Sequence, residues 1–114
     1  MKPRDTLARL RRFQVDEMRR RVAQIETMIA EFSKMARELE REIAIEEQRA
    51  GIFDISHFAY PTYARAARGR RDNLQRSAEE LTAQLDEARL FLEEALAGLG
   101  KGRILDGGAT LLAG

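Results

Sequence analysis

Apolar residues return at alternating steps of three and four along most of the chain. The first series reads Val15, Met18, Val22, Ile25, Ile29, Phe32, Ala36, Leu39 and Ile43. The second reads Ala64, Ala67, Arg71, Leu74, Ala78, Leu81, Leu85, Ala88, Leu92, Ala95 and Leu99, with Arg71 as its one polar member. A repeat of 3.5 held this long is a coiled-coil seam, because an ordinary amphipathic helix drifts off it within about two heptads. The pattern therefore predicts two long helices, each with a single apolar stripe.

Helix breakers set the limits. Residues 4–50 hold no Gly and no Pro. Gly51 suits a left-handed C-cap, Asp54 and Ser56 suit a capped turn, and Pro61 suits the start of a new helix. Gly69 weakens the second helix by about 1 kcal/mol relative to Ala. Six of the eight glycines fall within the last 17 residues. The expectation is helices over about 4–50 and 61–98, forming one all-α domain over 1–98, followed by a flexible Gly-rich tail over 99–114.

The short break favours an antiparallel hairpin. Pairing positions whose numbers sum to 110 sets Ile29 opposite Leu81, Ile25 near Leu85 and Met18 near Leu92. It also sets Phe32 near Ala78 and Ala36 near Leu74, so that large meets small. Charge agrees with this direction. Residues 1–21 carry eight basic and three acidic groups, and residues 79–99 carry one and six. Residues 22–49 carry four and seven, and residues 50–78 carry five and two. The antiparallel fold lays each basic block beside an acidic one, which orients coiled-coil helices. The reading is a monomeric hairpin, with a weak dimer of hairpins as the alternative.

Composition narrows the chemistry. The 114 residues carry 20 Lys+Arg and 19 Asp+Glu, and no Cys. Disulfides, thiolate zinc sites and cysteine nucleophiles are excluded. The longest apolar run is three residues, against roughly 20 for a membrane span, so no membrane insertion is expected. No apolar stretch follows Met1–Asp5, so no signal peptide is expected and the reading is cytoplasmic. His57 is the one histidine, and a solvated loop histidine is its simpler reading. Asp5–Arg9, Asp16–Arg20, Glu17–Arg21 and Asp72–Arg76 have i,i+4 spacing, which is surface helix chemistry. Leu99-Gly100-Lys101-Gly102-Arg103 lacks the spacing of a phosphate loop. No catalytic residue, metal site or cofactor is expected. The basic run Arg9 to Arg12, then Arg19 to Arg21, has the look of a zipper basic arm but carries no base-reading Asn; nucleic acid is not an expected partner.

Two segments stand out as partner-binding candidates. The break holds Phe53, Phe58, Tyr60 and Tyr63, four of the seven aromatics, together with Ile52 and Ile55. These either close the hairpin tip as a small core or dock on a partner. The other segment is the open end, where Leu7 and Leu10 alternate with Arg9, Arg11 and Arg12. If the second helix stops near 98, this turn lacks a facing helix. It then either frays, is covered by Leu111 and Leu112, or binds a partner.

A chain that opens Leu7-Ala8-Arg9-Leu10-Arg11-Arg12-Phe13, runs through a long helix, turns at Phe58-Ala59-Tyr60-Pro61-Thr62-Tyr63 and enters a second long helix resembles the FliJ family of flagellar export proteins. The resemblance covers about residues 3–97. It implies an antiparallel two-helix coiled coil, similar to the stalk subunit of rotary ATPases, in the flagellar type III export apparatus. It further implies association with the hexameric export ATPase, the membrane export gate and export chaperones, at the cytoplasmic face of the inner membrane, without catalysis. Generic coiled-coil spacers are the competing class. Family members usually continue the second helix a few turns further than residue 98.

Overall fold

The computed structural model describes the backbone of residues 2–113 and the side chains of residues 2–100. It is an all-α helical hairpin of two helices, α1 (Pro3–Ala50) and α2 (Thr62–Ala113). Pro3 occupies the first helical position, where its missing N–H costs nothing, and the Lys2 carbonyl accepts the Asp5 N–H at 3.0 Å. The C-terminus of α1 closes on Gly51, at φ +68°. Its N–H bonds the Gln48 carbonyl at 3.3 Å, and the Ile52 N–H reaches back to the Glu47 carbonyl at 3.3 Å. This pair of bonds is a Schellman motif, which needs a left-handed residue at that point.

The second helix differs from expectation at its far end. The stop placed near Gly98 does not occur, and α2 continues to Ala113. Gly51 is the only glycine with positive φ among the described residues, so the later glycines take helical dihedrals. Each costs about 1 kcal/mol relative to Ala, but residues 99–113 contain no Pro, and Gly alone weakens a helix without breaking it. The side chains of 101–114, including Leu111 and Leu112, lie outside the described residues.

The chain divides into two packed units, Met1–Ile25 with Gln84–Gly114, and Glu26–Ala83. In the second of these, Leu39, Ile43, Tyr60, Ala64 and Ala67 form one buried cluster, with Ile52 and Leu74 packed against it. Ala64 and Ala67 have almost no exposed surface, which lets the α2 backbone lie close against Leu39 and Ile43. Ala36 and Leu81 are also buried, and Ile29, Phe32 and Ala78 are half-buried. In the unit of 1–25 and 84–114, Val15, Ile25 and Leu85 are buried, and Ile25 is 1% exposed. Met18, Val22, Ala88, Leu92, Ala95 and Leu99 are half-buried there. Every position of both expected stripes is thus buried or half-buried.

Polar contacts across the seam fix its register. Tyr63–Glu42 has numbers summing to 105, while Gln75–Glu40 and Arg68–Glu47 sum to 115. In the other unit Arg21–Gln84 also sums to 105. Contacts flanking a seam lie to either side of its own pairing, so these values bracket the expected 110. On the helix surfaces the acid–base pairs form at i,i+3, as Asp16–Arg19 at 3.9 Å, Glu17–Arg20, and Glu46–Arg49 at 3.3 Å. The expected i,i+4 partners of Asp16 and Glu17 are therefore replaced by the arginine one position earlier. Arg71 stays in the seam by reaching its guanidinium outward to Asp72 at 3.0 Å.

Candidate partner-binding surfaces

The hairpin tip is a loop closed by its own hydrogen bonds. The Asp54 carboxylate accepts hydrogen bonds from the Ser56 N–H at 3.0 Å and the Ser56 hydroxyl at 2.7 Å. These bonds hold the Asp54 carboxyl below its ordinary range. The Asp54 carbonyl accepts the His57 N–H at 3.1 Å, and the His57 carbonyl accepts the Tyr60 N–H at 3.0 Å. His57 Nδ1 accepts the Ala59 N–H at 3.0 Å, so the one histidine serves as a loop acceptor. From α2, Arg65 donates to the Ile55 carbonyl at 2.8 Å and pins the loop from below.

The tip aromatics divide into two sets. Tyr60 is 4% exposed and belongs to the core. Its hydroxyl accepts from Arg68 Nε at 2.8 Å, and Arg68 Nη2 lies 3.3 Å from a Glu47 carboxylate oxygen. The hydrogen bond to Tyr60 holds the Arg68 guanidinium above its ordinary pKa. Arg65 and Arg68 also place their guanidinium carbons 5.4 and 5.9 Å from the Tyr60 ring centroid. Tyr60 therefore closes the tip and is not presented to a partner, which corrects its place among the docking candidates. Phe58 is the opposite case at 95% exposed, its ring stacked on His57 with centroids 4.8 Å apart. Phe53 and Ile55 are exposed beside it. Tyr63 is half exposed and donates its hydroxyl to Glu42 at 2.6 Å, which raises the phenol pKa.

At the open end, Leu7, Leu10 and Phe13 are exposed, as are Arg9 and Arg12, while Ala8 and Arg11 are half-buried. The seam here runs through Ala8, Arg11 and Val15. Leu10 and Phe13 are exposed because they stand on the outer face of α1, a reason that does not depend on where α2 ends. Beside them Arg12, Val15, Asp16, Arg19, Leu96 and Leu99 line a groove of about 280 Å³.

Sequence reasoning missed the Glu47–Arg68–Tyr60 network. Its signal was present as an acid and a base flanking the stripe at 47 and 68, next to an aromatic before Pro61. It also missed Phe91 and Leu90, both exposed on α2. Among the described residues no helix is long and apolar enough to cross a membrane. No protein-family model, curated protein or solved structure matches the chain.

Proposed function

We propose that this chain is a non-enzymatic stalk or adaptor of the flagellar type III protein export apparatus, working at the cytoplasmic face of the inner membrane. It binds the export ATPase and the export gate and assists export of flagellar subunits. The observation that carries the reading is the start of α1, where exposed Leu7, Leu10 and Phe13 stand among exposed Arg4, Arg9 and Arg12. An apolar and basic helix end of this kind suits an acidic-lined ring, where charge steers the approach and apolar side chains hold the complex. The antiparallel hairpin and the motif resemblance around Leu7–Phe13 and Phe58–Tyr63 support the same reading. Phe53, Ile55 and Phe58 supply the second contact, toward the export gate.

The test is a pull-down with the flagellar export ATPase combined with its hydrolysis rate. The full chain is expected to bind and to change the rate. Deleting residues 1–12 should leave the helical signal nearly intact and weaken binding. A full chain that neither binds nor alters hydrolysis leaves only a coiled-coil spacer.

A further inference from the structure

The unit of 1–25 and 84–114 carries a groove of about 390 Å³ lined by Met18, Arg21, Gln84, Glu87, Ala88 and Phe91. We propose that this groove is the seat of a second copy of the same chain, with α1 of one copy lying against α2 of the other.

Three observations carry this. The groove is apolar at its centre, where half-buried Met18 and Ala88 sit beside Phe91, which is about half exposed. It therefore offers both a hollow and a ring to fill one, as an isologous interface requires. Its walls carry opposite charges, Arg21 on α1 and Glu87 on α2. Finally, residues 1–21 carry eight basic and three acidic groups, and residues 84–100 carry four acidic groups and one basic. A two-fold axis along the hairpin sets each copy's basic α1 against the other's acidic α2. In that arrangement Phe91 of one copy meets Met18 of the other, and Arg21 of one copy meets Glu87 of the other. The result is a local four-helix bundle whose neighbouring helices are all antiparallel, with packing as in other bundles. A two-fold axis across the hairpin instead puts α1 on α1 and brings the arginine-rich segments toward each other, and an α2–α2 pairing sets the acidic segments together. The proposal does not depend on the export reading, since it concerns only this chain.

Sedimentation equilibrium of the full chain, from about 1 to 200 μM, tests it, because dimers of modest interfaces dissociate in the micromolar range. The expected result is a reversible monomer–dimer equilibrium. Phe91→Ala should weaken it roughly tenfold or more, as for a central aromatic anchor. Arg21→Glu should weaken it as well, and Arg21→Glu combined with Glu87→Arg should restore it. Circular dichroism of each variant verifies that the hairpin remains folded. Mixing Arg21→Glu chains with Glu87→Arg chains should also restore association: within each chain the facing groups stay like-charged, and only contacts between copies regain opposite charges, which separates the interface from fold effects. A single-chain mass at every concentration overturns the proposal. So does a dimer that ignores Phe91 and both charge swaps, or an assembly larger than two.

Discussion

The unit of residues 26–83 and the unit of 1–25 with 84–114 use the same stripe differently. Around the tip the stripe is completed by Ala64, Ala67 and the buried Tyr60, and a charged pair is enclosed with it. In the other unit most stripe residues are half-buried, and Leu7, Leu10, Phe13, Leu90, Phe91 and Leu96 remain exposed. Small residues near the turn let one helix bury its neighbour's side chains fully. Ala88 and Ala95 hold the same stripe positions in the other unit but stay half-buried, and leucines and phenylalanines stand on its outer faces. The contrast places the more fully buried core in the tip unit, while both units keep exposed apolar side chains.

The largest effect should come from Ile43→Ala, which empties the tip cluster. A loss of about 2–5 kcal/mol is expected in thermal or urea unfolding. Val15→Ala in the other unit should cost less, about 1–2 kcal/mol from the smaller apolar loss. Next comes Arg68→Ala, which leaves the buried Glu47 without its cation and the Tyr60 hydroxyl without its donor. About 1–3 kcal/mol is expected, with Tyr60→Phe near the bottom of that range. Both are read from the shift in unfolding midpoint.

Two glycines sharpen the account of the turn. Gly51→Ala forces a side chain into the left-handed region and should destabilise by about 1–2 kcal/mol. Gly69 is helical, and a Cβ there meets nothing within 4 Å. Gly69→Ala should stabilise by about 0.5–1 kcal/mol. The two changes are the same on paper and should move the melting temperature in opposite directions.

Much of this was written in the sequence. The 3.5 repeat located every buried stripe residue, and Gly51 marked the turn because no other residue is as free to take φ near +68°. Charge blocks oriented the helices, and polar contacts at 105 and 115 bracket the register that the blocks and stripe implied. The end of α2 was illegible because glycine density signals a weak helix without specifying whether it stops. Tyr60 was illegible for a different reason: an aromatic in a loop faces in or out according to a partner, and its partner is Arg68, eight residues on. Leu10 looked like the consequence of a missing helix, whereas its exposure follows from the face of α1 it occupies.

The tip loop also has a pH dependence of definite sign. The Asp54 carboxyl is held below its usual 3.8 by Ser56, so its bonds favour the ordered loop above that value. That contribution is lost as pH falls through the lowered folded value. Slowed exchange of the Ser56 amide near neutral pH, lost on acidification and absent in Asp54→Ala, is the expected record. The smallest effect belongs to Phe58→Ala, which should leave the unfolding free energy unchanged within about 0.5 kcal/mol because its ring is almost wholly exposed. A large loss there would place Phe58 in the fold instead of on a contact surface.

Amide hydrogen exchange along the whole chain, alone and with the flagellar export ATPase, tests the difference between the two units and the proposed open-end contact most directly. Alone, the slowest amides should lie in 36–47 and 62–74, and those of 4–13 should exchange much faster. With the ATPase, new protection should appear in 4–13. Uniform protection in the free chain, or an open end left unchanged by the ATPase, would contradict the account.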